Sequence, residues 1–182
     1  MDRSVPELDS LYREIILDHF KCPRGKKVVE CPDITFEGYN PVCGDEVKIA
    51  VKVQDGKVSD VAVNSRGCAI SVAAGSMLAE LLPGKSLGEV QEVGKVFERL
   101  LKGETPADPQ DLGDLESLEG VSRFPVRIKC ALLAWKTIEQ AVKSFKMGAT
   151  DSKVATATEE ASPSVSSKAA ENNGGNGLVD KR

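Results

Sequence analysis

Between residues 46 and 64 this chain has few options other than a β-hairpin. Val47, Ile49, Val51 and Val53 alternate with polar neighbours, and a period of two sends alternate side chains to opposite faces of a strand. Asp55-Gly56 follows, a dipeptide suited to a tight two-residue turn, and residues 58–64 read as the returning strand. A lone two-stranded ribbon is marginal in water. Residues 34–39 are therefore expected as a third strand, giving one three-stranded antiparallel sheet.

The remaining apolar residues are spaced for helices that would cover that sheet. Leu8, Leu11, Tyr12, Ile15, Ile16 and Phe20 predict an amphipathic helix over residues 10–21, ended by Pro23. Residues 69–82 read as a second helix stopped by Pro83-Gly84, and Ser86 caps a third that carries Leu87, Val90, Val93, Phe97, Leu100 and Leu101. A last helix starts at Pro125, a residue suited to a first turn, with Ile128, Leu132, Trp135, Ile138 and Val142 on its core stripe. The fold class is α+β: a three-stranded antiparallel sheet covered by helices. The long connection over residues 103–124 is expected to hold at most one short helical piece, near residues 112–118.

Three short boxes carry the chemistry: Asn40-Pro41-Val42-Cys43-Gly44-Asp45, Arg66-Gly67-Cys68-Ala69-Ile70-Ser71 and Arg127-Ile128-Lys129-Cys130-Ala131. Three thiolates and one carboxylate make a complete tetrahedral shell for zinc. Gly44 lets the backbone bend so that Cys43 and Asp45 converge, and Gly67 marks a strand end before Cys68. Each cysteine adjoins glycine or a basic residue, surroundings that favour a thiolate. Taken singly, each also reads as a small buried hydrophobe, and Asp45 as a turn residue or cap. Cys130 lies roughly 140° from the centre of the last helix's core stripe, at about 100° per residue, so it is not expected in the apolar core. Its place in the first turns puts it near the positive helix end, although Leu133 and Ala134 on the same side allow a second buried face. Arg127, one turn before Cys130, is placed to steady Asp45 or attract a persulfide anion, or else to make a solvent-facing salt bridge.

Composition narrows the setting. The chain has 182 residues, enough for one domain with a real core plus a tail. Its five cysteines are scattered, with no Cys-x-x-Cys pair, and the first residues lack an apolar signal segment, so a reducing cytoplasmic location is expected. No uncharged stretch reaches the roughly 18 residues of a membrane span. With a net charge of −4 and interspersed acids and bases, the chain offers no electrostatic footprint for nucleic acid. Residues 148–182, poor in large apolar residues, are expected to be a disordered tail behind a domain over residues 1–147.

These boxes, in this order, together with Leu11-Tyr12-Arg13-Glu14-Ile15-Ile16-Leu17-Asp18-His19 and Phe124-Pro125-Val126-Arg127, resemble the SufU-type proteins of iron–sulfur cluster biogenesis, relatives of the IscU scaffold within the SufE/NifU-like fold. The resemblance covers roughly residues 8 to 146. It implies that Cys43, Asp45, Cys68 and Cys130 hold zinc and that Cys43 accepts sulfur from a cysteine desulfurase of SufS-like type, with Arg127 in support. It further implies that docking on the desulfurase frees Cys43 from the metal by a ligand swap. Delivery would be to a downstream cluster scaffold or apoprotein. The alternative is a scaffold that itself assembles a [2Fe–2S] cluster, binding iron. Scaffolds typically carry histidine immediately before the last cysteine, where this chain has Lys129, and the long connection resembles an insertion of SufU-type proteins. His19 is expected to be a satisfied residue packed at a helix end, and Cys22 and Cys31 incidental thiols.

Overall fold

The computed structural model describes residues 5–104, 111–148 and 151–156. In chain order the elements are α1 (Val5–Lys21), β1 (Ile34–Asn40), β2 (Asp45–Gln54), β3 (Lys57–Arg66), α2 (Ala69–Leu81), α3 (Leu87–Leu101), a 3-10 helix (Gly113–Arg123), α4 (Pro125–Lys146) and β4 (Asp151–Thr156). Strands β1, β2 and β3 pair antiparallel, as the alternation predicts. Asp55 and Gly56 both take positive φ, 52° and 73°, the backbone that lets a two-residue turn follow the strand twist.

One face of the sheet is buried. Ile34 and Phe36 of β1, Val47, Ile49 and Val51 of β2 and Val58, Val61 and Val63 of β3 form one apolar core with α2, α3, α4 and the 3-10 helix. Helix α4 lies over β1 and β2, α2 lies over β3, and α1 packs on α2 and the 3-10 helix. Ser86 and Glu89 complete a reciprocal capping box at the start of α3. Among the described residues no helix is long and apolar enough to cross a membrane.

Three expectations are corrected, and that for Cys130 is refined. Helix α1 begins at Val5, before the expected start at residue 10, and Phe20 is 40% exposed, off the buried face. The long connection folds into eleven residues of 3-10 helix instead of one short piece. Leu112, Leu115, Leu118 and Val121 are all buried there, and their spacing of three matches a helix with three residues per turn. Cys130 is fully buried, but it is absent from the apolar core cluster. Leu133 and Ala134, at 0% and 1% exposure, form a second buried face on α4, whose middle turns are enclosed on several sides. Lastly, six residues of the expected disordered tail form β4, parallel to β1, so the sheet has a fourth strand. The rest of that tail, residues 149–150 and 157–182, lies outside the described residues, as do residues 105–110 of the connection.

Candidate metal centre

The β1–β2 connection is only four residues, and its geometry is set by Asn40. The Asn40 carbonyl accepts the Gly44 N–H at 2.8 Å, and its side-chain oxygen accepts the Val42 N–H at 3.1 Å. Such an Asx turn is the local bond that asparagine makes best. Gly44 closes the loop at φ +70°, where a Cβ would meet nothing within 4 Å; the demand for glycine there comes from the backbone alone. Cys43 is thereby held at the loop tip, and Asp45 opens β2 opposite Asn40.

Asp45 and Gly67 fit together by subtraction. A Cβ on Gly67 would stand 2.1 Å from Asp45 Oδ1. The missing side chain lets the carboxylate reach the start of α2, where Oδ1 accepts the Cys68 N–H at 2.8 Å. Cys68 is itself the N-cap of α2, its Sγ accepting the Ser71 N–H at 3.5 Å. A thiolate there faces unpaired amides and the positive helix end. Cys68 thus holds the N-cap itself, with Cys-x-x-Ser as the available signal, while Cys130 lies in the second turn of α4.

Cys130 reaches the same place from α4. Its Sγ is 3.1 Å from Cys43 Sγ and 3.6 Å from the Asn40 side-chain nitrogen. The donor atoms of Cys43, Asp45 and Cys130 all lie within 4.8 Å of one another. Cys68 joins through Asp45, its Sγ 3.9 Å from Oδ2. The four residues read as metal ligands are thus neighbours, although they come from a loop, a strand, a helix cap and a helix.

The electrostatics of this cluster ask for a cation. Asp45 is fully buried, and no basic side chain forms an ion pair with it among the described residues. A buried carboxylate with a backbone hydrogen bond but no counter-charge is costly. Burial pushes the Cys130 thiol well above its ordinary range, and the adjoining Cys43 thiol and Asp45 carboxylate push it further. At Cys130, without metal, burial and these neighbours outweigh the thiolate-favouring surroundings read from the sequence. A divalent ion would reverse both penalties, and three sulfurs with one oxygen are a donor set that suits zinc.

Arg127 is exposed at the mouth. A hydrogen bond with Cys130, then the nearby Cys68, Cys130 and Cys43 groups, raise its pKa above the ordinary arginine value. It faces the thiols, and among the described residues no ion pair joins it to Asp45. Beside it runs a groove of about 270 Å³ that includes Tyr12, Ile16, Ile70 and Phe124. Val42, Phe124 and Val126 are 55–60% exposed around the site. Lys129 points to solvent, and Cys22 and Cys31 are exposed. The sequence places Asn40 in the first box but assigns it no role; that role follows from its burial at 0% exposure, which residue type alone does not signal.

The model of the NifU-like N terminal domain matches residues 11–152. The chain belongs to that family. Over 141 residues, 78% of this chain and 95% of the relative, it is 42% identical to the zinc-dependent sulfurtransferase SufU of Bacillus subtilis. It is 34% identical over 140 residues to the iron-sulfur cluster assembly scaffold protein IscU of Streptococcus pyogenes, covering 77% of this chain and 87% of that one. A crystal structure of a putative iron-sulfur cluster assembly scaffold protein from Fervidobacterium islandicum superposes with a TM-score of 0.65 at 34% identity, covering 71% of this chain and 94% of that chain. The family's α+β architecture is the one described above.

Proposed function

We propose that this protein is a zinc-dependent sulfur acceptor in iron–sulfur cluster assembly, taking persulfide sulfur from a cysteine desulfurase on Cys43. One observation carries the reading: a fully buried Asp45, with no basic ion-pair partner among the described residues, lies among three thiols, while the only histidine is engaged elsewhere. The similarity to a protein named zinc-dependent sulfurtransferase supports it.

Cys43, Asp45, Cys68 and Cys130 would hold the zinc. Bound zinc keeps coordinating thiols deprotonated at neutral pH. In the transfer step the Cys43 thiolate attacks the terminal sulfur of the desulfurase persulfide. A new S–S bond forms at Cys43, the donor S–S bond breaks, and the desulfurase cysteine leaves as a thiolate. Arg127 stabilises the persulfide anion at the mouth. The exposed Val42, Phe124 and Val126 give the thiols an apolar rim suited to a protein donor. The sulfur then passes to a downstream scaffold or apoprotein.

The test is alanine production by the desulfurase under a reductant too weak to clear its persulfide. Zinc-loaded protein accelerates turnover, and Cys43→Ala abolishes the acceleration; acceleration by Cys43→Ala would remove Cys43 from the acceptor role. The second reading, a scaffold binding iron in a [2Fe–2S] cluster, draws on the similarity to proteins named cluster scaffolds and on the thiolate donors. A cluster is coloured, so visible absorbance of anaerobically purified protein separates the two.

A further inference from the structure

His19 is the chain's single histidine, and the thiol centre does not use it. It is buried to 1% exposure, as expected for a packed helix end. Its Nδ1 lies 2.7 Å from Ser76 Oγ, which also accepts the Arg24 N–H at 2.8 Å. That hydroxyl fixes the ring, so Nε2 is aimed at one place.

Two carboxylates from two other elements meet it there. Asp114 Oδ2, in the first turn of the 3-10 helix, is 2.9 Å from Nε2. Glu80 Oε2, near the end of α2, is 3.7 Å away. The second Glu80 oxygen faces Arg24 Nε at 3.5 Å, which turns Oε2 toward His19. All three donor atoms lie within 4.8 Å of one another.

A hydrogen bond from Nε2 accounts for Asp114 and the Arg24 contact for one Glu80 oxygen, while Glu80 Oε2 faces the ring from beyond hydrogen-bond reach. Metal coordination accounts for both carboxylates. Two donors about 2.1 Å from one ion are about 3.0 Å apart at a right angle and about 3.4 Å apart at the tetrahedral angle, and the observed separations of 2.9 and 3.7 Å need only small adjustments to match. A ring whose other nitrogen is held by a hydrogen-bond partner is also the usual state of a ligating histidine; Ser76 Oγ has lone pairs for both Nδ1–H and the Arg24 N–H.

We propose that His19, Glu80 and Asp114 form a second divalent-cation site, independent of the thiol centre, that ties α1 and α2 to the 3-10 helix. One imidazole and two carboxylates suit Mn²⁺, Fe²⁺ or Zn²⁺. With both carboxylates about half exposed, the remaining coordination positions are open to water. The proposal does not rest on the sulfur-transfer reading.

Mn²⁺ is the probe of choice because it prefers oxygen and nitrogen donors to thiolates. The full-length, zinc-loaded protein is titrated with Mn²⁺, and the free ion is followed by its electron paramagnetic resonance signal. The expected result is one bound Mn²⁺ per chain, weakened at least about tenfold in Asp114→Asn and in Glu80→Gln, with zinc content and circular dichroism unchanged. Asp114→Asn leaves His19 a hydrogen-bond partner, so loss of binding there is not loss of the fold. Absence of bound Mn²⁺ in the wild-type chain, or full binding in either variant, overturns the proposal.

Discussion

The Asp45 carboxylate occupies the space that a side chain at Gly67 would fill: an added Cβ would stand 2.1 Å from Oδ1 and 2.8 Å from Asp45 Cβ. Asp45 cannot give way cheaply, because Oδ1 also accepts the Cys68 N–H that starts α2. Gly67→Ala should therefore displace Asp45, on top of the strain of its φ of +151°. The expected outcome is a loss of about 1–3 kcal/mol of stability together with reduced zinc content. Urea unfolding and metal analysis on the same preparation check it; full zinc occupancy at wild-type stability would contradict it.

Asn40 is the hinge of the Cys43 loop. Its side chain receives the Val42 N–H and donates toward Cys130 Sγ from a fully buried position. Asn40→Ala removes both bonds and leaves buried groups unpaired, a cost of about 1–3 kcal/mol. Sulfur acceptance should slow as well, because Cys43 loses its fixed position. A variant with normal desulfurase stimulation would show that the loop holds without this side chain.

Gly94 tests the core. It is in α3, where alanine would gain about 1 kcal/mol on helix propensity alone. Yet a Cβ there would overlap Trp135, 1.4 Å from its nearest ring atom, and overpacking costs about 1–3 kcal/mol or more. Packing should win, so Gly94→Ala is expected to lower the urea midpoint and alter the near-ultraviolet dichroism of Trp135, the only tryptophan. Stabilisation instead would mean that α3 moves freely over α4.

Glu98 and Lys136 join α3 to α4 at 2.7 Å. Burial alone would raise the Glu98 pKa, but hydrogen bonds from Lys136 and Lys102 outweigh it and leave the carboxyl below its ordinary 4.5. Because the folded pKa is depressed, the pair's contribution is fully present above pH 4.5 and is lost as pH falls through the folded value. Glu98→Gln should cost about 0.5–1 kcal/mol at pH 7, and the gap to wild type should close below pH 4.5. Urea midpoints measured from pH 7 down to pH 3 follow this; a gap that widens on acidification would refute the assignment.

Local chemistry makes several elements legible along the chain. The hairpin is readable because strand alternation and Asp55-Gly56 act over a few residues, and the third helix because Ser86 and Glu89 form a cap across one turn. The boxes holding Cys43, Asp45, Cys68 and Cys130 are legible as a group through their residue types. The full 3-10 helix escapes a search at α-helical spacing, which does not register a period of three, although Leu112, Leu115, Leu118 and Val121 carry it plainly. Strand β4 escapes because its residues have the composition of a tail, and its pairing depends on the free edge of β1.

The alternation of the strands, the caps and turns between elements, and the residue types of the candidate sulfur and oxygen donors follow from each residue and its near neighbours. Tertiary structure decided the rest. Cys130 is buried because α4 is enclosed on more than one side, Gly67 is required because Asp45 fills its space, and His19 meets Asp114 from 95 residues away. Each of these depends on distance across the fold, which spacing along the chain does not encode.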